Sequence, residues 1–308
     1  MSASRVLCIV GPTAVGKSSL AELVALRLGG EVVSVDSMQV YRGMDIGTSK
    51  TPPSERKVAL HMVDVAEVGE AYSVARFQSD ARACVEELYE EGKPAILCGG
   101  TGLYLDAVID EMDFPHGETG GRARSPYERL ADEQGAAAVY QLLVERDPKS
   151  AEEIHPNNVR RVVRALEMLD EGKSYAVQHA GLKKRKPHYE ARIWGLSLPR
   201  EQLYERINAR VDEMFEQGLV DEVRALERAG IRDSLTASQA IGYKEVLGAL
   251  AGTYSLEEAR ELVKRNTRRY AKRQLSWLRR DGRTHWIDLS EQGADEACEL
   301  ICADWRQA

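Results

Sequence analysis

Nothing in this chain reads as a membrane span. Its first apolar run, residues 6–10, is too short, and it lacks the basic flank and cleavage site of a secretory leader. There is no internal repeat and no low-complexity tract, so no repeat array is encoded. The cysteines, Cys8, Cys84, Cys98, Cys298 and Cys302, form no C-x-x-C pair. Cys298 and Cys302 stand one helical turn apart, but no clustered histidine or further cysteine completes a metal site, so helix packing accounts for them. A reducing, cytoplasmic setting follows. An excess of basic charge is also missing. The net charge is −7 over 308 residues, which excludes indiscriminate polyanion binding while leaving room for a local basic surface. With 43% hydrophobic and 30% charged residues, the chain is an ordinary soluble globular protein, one large domain with an insertion or two smaller ones.

What is present begins at Gly11. The segment Gly11, Pro12, Thr13, Ala14, Val15, Gly16, Lys17, Ser18 has the P-loop pattern of a glycine, four residues, then Gly-Lys-Ser. It follows an apolar run, Val6–Val10, that reads as a buried strand. It precedes Ser19–Leu28, which reads as a helix with Leu20, Leu23, Val24 and Leu28 on one face. In that setting backbone N–H groups and a helix N-terminus wrap an anion, Lys17 adds positive charge, and the Ser18 hydroxyl can hold Mg²⁺. A di- or triphosphate is the expected ligand, with Thr13 and Lys17 the side chains best able to reach it.

The first third of the chain alternates strand and helix. Strands are expected at Val6–Val10, Glu31–Val35 and Pro94–Cys98, and helices at Ser19–Leu28 and Tyr72–Glu91. Such alternation implies an α/β fold, a P-loop NTPase-like parallel sheet flanked by helices, with ligands outside the carboxyl ends of the strands. After about Met112 the pattern changes. Residues 113–126 read as a linker, Tyr127 to about Gln178 as helical with a turn at Asp147-Pro148 and a cap near Asn157, and residues 180–190 as an exposed loop. Strand patterns return at Arg192–Leu198 and Trp286–Leu289, with long helices between Arg200 and Arg283. The expected division is a catalytic core of residues 1–112 and 191–308 around an all-helical insertion, residues 113–190.

Two strand ends bear on the chemistry. Asp36 directly follows the second strand, where it would face the P-loop across the crevice, either as a general base or metal-linked carboxylate or as a plain turn aspartate. The third strand ends in Gly99-Gly100-Thr101-Gly102 and has no acid where a P-loop ATPase or GTPase keeps a Mg²⁺-holding aspartate. That omission weakens an ordinary NTPase reading. Thr101 presents a neutral hydroxyl in a glycine setting, or it caps the helix beginning at Leu103.

Two segments are arginine-rich. In 157–169, Val159, Val162, Val163, Leu166 and Leu169 share one helical face, and Arg160, Arg161 and Arg164 lie opposite. Between Lys264 and Arg283 the basic residues are Lys264, Arg265, Arg268, Arg269, Lys272, Arg273, Arg279, Arg280 and Arg283, against the single acid Asp281. Val263, Tyr270 and Trp277 recur at heptad spacing and can anchor that helix while its charges face out. Such runs are often only solvated faces, but two of them in an acidic protein point to contact with a phosphate backbone or a polyphosphate.

Together these segments resemble the tRNA dimethylallyltransferase (tRNA isopentenyltransferase) family, bacterial in type. GPTAVGKS, DSMQVYRGMDIGTSK, GGTGLYLDAV, HPNNVRRVVRALEM, SQAIGYKE and RRYAKRQLSWLRR match family motifs in family order, from the N-terminus to about residue 283. The resemblance implies transfer of a dimethylallyl group from dimethylallyl diphosphate to N6 of adenosine 37, in tRNAs reading codons that begin with U, with release of diphosphate. It makes Asp36 the base that takes the N6 proton and Thr101 a contact to the target base. Lys17, the P-loop from Gly11 to Ser18 and Mg²⁺ at Ser18 would neutralise the leaving diphosphate, and Arg224 matches a family arginine near it. The tRNA-contacting residues it implies are Asp36, Ser37, Met38, Gln39, Thr101, Arg124, Arg160, Arg161, Val162, Val163, Arg164, Gln239, Gly242, Tyr243, Lys244, Lys272, Arg273, Gln274, Trp277 and Arg280.

The chain departs from the family in few places. Leu60-His61 stands where members often have two histidines, the linker around Arg124 is unusual, and the zinc-finger extension of eukaryotic relatives is absent. Action as a monomer, away from membranes, is expected. Within the fold the alternative is an adenylate isopentenyltransferase using free AMP, ADP or ATP, although a free nucleotide needs neither the insertion nor the basic tail. A small-molecule P-loop kinase would need the metal-binding acid that the third strand lacks. A non-catalytic RNA-binding module would not need Lys17, Ser18, Asp36 and Thr101 together.

Overall fold

In a computed structural model the protein is described over residues 5–114, 126–182 and 185–307. The chain opens with strand β1 (Arg5–Val10), helix α1 (Lys17–Leu28), β2 (Glu31–Ser34), the short β3 (Leu60–His61), α2 (Val74–Glu90), β4 (Ala95–Gly99) and α3 (Gly102–Ile109). Five helices follow: α4 (Pro126–Gln134), α5 (Ala136–Arg146), α6 (Pro148–Glu153), α7 (Val159–Asp170) and α8 (Tyr175–Leu182). The chain then runs through β5 (Glu190–Ser197), α9 (Arg200–Glu216), α10 (Leu219–Arg228), α11 (Tyr243–Leu250), α12 (Leu256–Leu278), β6 (Thr284–Asp288) and α13 (Ala294–Gln307). It divides into two compact units, Met1–Asp110 with Pro187–Ala308, and Glu111–Lys186.

In the first unit six strands form one parallel sheet in the order β3-β2-β4-β1-β5-β6. A parallel sheet must be covered on both faces, so its central strands read as continuous apolar runs rather than alternating ones. β1 shows this with its period of two. Val6, Cys8 and Val10 enter the core that holds Phe77, Tyr104 and Val108, while Leu7 and Ile9 enter the opposite core with Leu20, Val24 and Ile301. Each of those β1 residues is at most 1% exposed. β1 is also the switch point. The chain leaves it toward β2 on one side and returns as β5 on the other, which opens a crevice at the carboxyl ends of β1, β2 and β4.

The structure adds β3 and α13 to what the sequence pattern gave. The two-residue β3 is too short to show a period. Cys298 and Cys302 lie inside α13, buried, with sulfurs 3.9 Å apart.

The second unit packs around Val139, Leu143, Ile154, Val162, Val163 and Leu166. Asp147-Pro148, expected as a turn, is the junction of α5 and α6, where the Asp147 carboxylate accepts the Ser150 N–H as a helix cap and Pro148 takes the first helical position. The cap of α7 is Asn158, whose side chain accepts the Arg161 N–H.

Candidate active site

The P-loop is built as its sequence demands. Gly16 caps α1 with φ 108°, a left-handed conformation that glycine adopts without strain, while Ala14 sits at φ 64°. This turn leaves the first N–H groups of α1 without helical partners and turned toward the carboxyl edge of the sheet. Lys17 folds back over the loop, its Nζ donating to the Pro12 carbonyl at 2.9 Å. Burial pushes its pKa down, opposed by the nearby Cys98 and Asp36 and reinforced by Arg210. Val15 points away into the core beside α1.

Lys17, Thr13 and Ser18 line a cavity of about 340 Å³ together with Asp36, Ser37, Met38 and Gln39 from the turn after β2. That volume falls at the small end of ligand pockets. Met38 N–H donates to Asp36 Oδ1 at 2.8 Å and fixes the plane of the carboxylate. The turn reading of Asp36 is therefore correct for one oxygen, and the same carboxylate still faces the cavity. Ile207, Val211 and Met214 of α9, with Val32, Leu60 and Val263, give the cavity an apolar wall. Cys98 occupies the strand end where a metal-holding acid would stand, and burial pushes its thiol up to about 11.

Thr101 is not a side-chain cap for α3. Its hydroxyl oxygen instead accepts the Ser37 N–H at 3.3 Å, joining the turn after β4 to the turn after β2. Tyr270 also lines the cavity, and its pKa is pushed up to about 12, first by burial and then by the charge of Asp36. The turn needs its glycines. A Cβ on Gly100 would collide with the Gln274 amide, and one on Gly102 with the Trp277 ring.

Several residues singled out in the sequence lie elsewhere. Arg224 does not line the cavity. It is half exposed on α10 and pairs with Asp221 of its own helix at 2.8 Å, because the apolar face of α10 is the one that packs inward. An arginine that does line the cavity, beside Lys17, is Arg210 of α9, whose Nε donates to Ser49 Oγ at 2.6 Å and whose pKa burial lowers while Asp36 raises it. The signal for it was present: Arg210 shares an apolar helical face with Ile207, Val211 and Met214, where a charge needs a reason. Glu222, also missed, accepts the N–H groups of Asp45, Ile46 and Gly47 and the hydroxyl of Tyr243.

Val162 and Val163 are 0% and 6% exposed in the core of the second unit, so their side chains do not reach RNA; Arg160 and Arg161 on the same helix are exposed, and Arg164 is half-buried. Tyr243 is fully buried with one edge on the cavity, Gly242 is buried, and Gln239 and Lys244 are exposed at the cavity lining. Gln274 is 5% exposed and bonded on both sides, and Trp277 donates to Asp106. Lys272, Arg273 and Arg280 are exposed on or just beyond α12. Of the basic run, Lys264, Arg268 and Arg283 turn to intramolecular partners: Asp212, Asn208, and the Asp110–Asp281 pair. Arg124 lies outside the described residues.

The acids Asp106, Asp110 and Asp281 come within 4.8 Å of one another, a spacing that suits a metal. The Arg283 guanidinium already bridges two of them, with 2.7 Å bonds to both Asp110 oxygens and to Asp281, and none of the three lines the cavity. Asp106 accepts the Trp277 N–H, so the three belong to a buried hydrogen-bonded network apart from the cavity. The oxygen donors that do line the cavity are hydroxyls and carboxylates, among them Ser18, Thr13, Asp36 and Glu22, a hard-oxygen set suited to Mg²⁺ beside a phosphate.

Comparison with known proteins agrees with this arrangement. The family model described as IPP transferase matches residues 39–281, and that described as isopentenyl transferase matches residues 4–61. A tRNA dimethylallyltransferase of Carboxydothermus hydrogenoformans is 45% identical over 302 residues, covering 97% of each chain. The crystal structure of a tRNA isopentenylpyrophosphate transferase from Bacillus halodurans is 41% identical, covers 99% of this chain and 97% of its own, and superimposes with a TM-score of 0.70. A eukaryotic dimethylallyltransferase acting on tRNA is 29% identical over 97% of this chain and 78% of its own, with a TM-score of 0.79. Among the described residues no helix is long and apolar enough to cross a membrane. With the phosphate loop, the carboxylate across the cavity and these full-length matches in agreement, the chain belongs to the IPP transferase family.

Proposed function

We propose that this chain transfers the dimethylallyl group of dimethylallyl diphosphate to N6 of adenosine 37 in tRNA, giving N6-dimethylallyladenosine and diphosphate. The observation that supports it most is the composition of one cavity. A phosphate loop with Lys17 and Arg210 meets the Asp36 carboxylate and an apolar wall, and the β4 end offers Cys98 instead of a metal-holding acid. A nucleotide kinase has no need of the apolar wall, and a binding module has no need of the carboxylate.

The chemistry follows from these groups. The allylic C1–O bond breaks and its electrons leave with the diphosphate, whose growing charge meets Lys17, Arg210 and the P-loop N–H groups. The N6 lone pair forms the new bond to C1. That amine is a weak nucleophile because its lone pair is delocalised into the purine, so its proton passes to Asp36 as the bond forms. Thr101, with its oxygen engaged by Ser37 N–H, keeps its own hydroxyl hydrogen for the base. Ser18 and the donor's phosphate oxygens would hold Mg²⁺, which supplies further neutralisation of the leaving group. Adenosine 37 is stacked in the anticodon loop and has to be turned out to reach this cavity. Exposed Arg160 and Arg161 on α7, and Lys272, Arg273 and Arg280 along the basic helix, are suited to the phosphates around it.

The test offers labelled dimethylallyl diphosphate with an anticodon stem-loop containing A36-A37-A38, with AMP, or with neither. Label on the stem-loop supports the proposal. Label on AMP alone makes the chain an adenylate isopentenyltransferase, and ATP turnover without transfer makes it a kinase.

A further inference from the structure

On the function proposed above, transfer requires the diphosphate grip and the base-contacting turn to stand at one fixed separation. A single buried side chain spans them. Gln274 Oε1 accepts the Thr13 N–H of the P-loop at 2.9 Å, and Gln274 Nε2 donates to the Gly100 carbonyl, one residue before Thr101, at 3.1 Å. Gln274 is 5% exposed, while its neighbours Lys272 and Arg273 are open to solvent. The fit leaves no slack, since Gly100 and Gly102 accept no side chain against Gln274 and Trp277. The flanking turns of α12 grip the same region. Trp277 donates to Asp106 of α3 at 3.0 Å, and Tyr270, one turn before Gln274, lines the same cavity.

We propose that Gln274 is a positioning residue for group transfer, holding Thr101 and the P-loop in register so that the acceptor nitrogen meets the allylic carbon. Gln274 borders the cavity, but both ends of its amide are taken up by Thr13 and Gly100, so it acts through them. A neutral amide is what this role needs, because one side chain must accept from an N–H and donate to a carbonyl at once. An ionised carboxylate can do only the first, and a thioether neither.

The experiment is single-turnover transfer with an anticodon stem-loop preloaded and dimethylallyl diphosphate saturating. Gln274→Met is expected to keep the reaction amplitude and the stem-loop affinity while the rate constant falls on the order of 100-fold, the scale of an ångström's misplacement. Gln274→Glu, which keeps the Thr13 bond, is expected to recover relative to wild type at each lower pH, as protonation restores a donor toward Gly100. An unchanged rate constant in Gln274→Met, or a lowered amplitude at an unchanged rate constant, overturns the proposal in favour of a plain folding role. So does a Gln274→Glu ratio that is flat with pH. Lost stem-loop affinity at full rate makes Gln274 an RNA contact instead. Wild-type enzyme that moves no label counts against the proposed function rather than against Gln274.

Discussion

Tyr243 donates its hydroxyl to the Glu222 carboxylate at 2.6 Å, and the same carboxylate collects the N–H groups of Asp45, Ile46 and Gly47. The segment so held continues into Thr48 and Ser49, which line the cavity, and Ser49 Oγ receives Arg210. Two helices outside the phosphate loop therefore fix one of its walls. Tyr243→Phe removes one hydrogen bond to a charged acceptor and should cost about 1.5–3 kcal/mol of stability in urea unfolding. Glu222→Ala should cost more, since it leaves backbone donors unpaired, and should also raise the KM for dimethylallyl diphosphate. A destabilised Glu222→Ala enzyme with an unchanged KM would break the link between this carboxylate and the site.

Two arginines separate the geometry from the sequence reading. Arg210 lines the cavity, and Arg224 lies outside it beside Asp221. Arg210→Ala should raise the donor KM and lower kcat, with kcat/KM down roughly 100-fold, within the range of losing one electrostatic stabiliser of the transition state. Arg224→Ala should leave both constants near wild type, because an exposed i, i+3 pair contributes little. Steady-state kinetics with varied donor decides it, and a selective defect in Arg224→Ala would restore the sequence assignment.

The difference between those arginines shows what a sequence makes legible. The P-loop and Asp36 were readable because each directly follows a short strand marked by its valines and other apolar residues. The central sheet was readable for the same reason. The partners of Arg210, Glu222 and Gln274 were not, since each acts on a loop 161 or more residues away in the chain and nothing local marks that loop. Val162, Val163 and Gln274 stood among the expected RNA contacts although their side chains are buried, for a related reason. A family segment transfers as a block, but a helix buries some of its residues whatever the block does. Spacing alone already placed both valines on the apolar face.

Asp36 is held in plane by Met38 N–H, so a change of charge there need not move the loop. Asp36→Asn keeps that acceptor and removes the base. Transfer should fall by about 10²–10⁴-fold, the usual worth of general base catalysis. Stem-loop affinity measured by filter binding should stay near wild type. A loss of binding as large as the loss of turnover would make Asp36 chiefly a recognition residue.

Burial lowers the Lys17 pKa, and the sign of the consequence is fixed. The charged form is the one that holds the diphosphate, and it is lost at a lower pH than for an ordinary lysine. The kcat/KM for the donor should therefore decline on the alkaline side before a free lysine would titrate. The Cys98 thiol, raised to about 11, stays neutral through that decline and does not cause it. Lys17→Arg should be slower at every pH and lack the alkaline limb, because a guanidinium does not titrate there. An alkaline limb that survives in Lys17→Arg assigns it to another group.

Helix α7 offers the sharpest division between binding and folding. Arg160 and Arg161 project into solvent, and Val162 and Val163 lie behind them in the core of the second unit. If the arginines neutralise RNA phosphates, Arg160→Ala with Arg161→Ala should weaken stem-loop binding and flatten the slope of log K against log salt by roughly 1–2, since each phosphate contact is worth about 0.7–0.9. Unfolding midpoints should hardly change. Val162→Ala should do the reverse, lowering stability by about 0.5–3 kcal/mol with the salt slope intact. Equilibrium binding at several salt concentrations, paired with denaturation of the same variants, reads both. An unchanged slope in the arginine pair would remove α7 from the RNA interface.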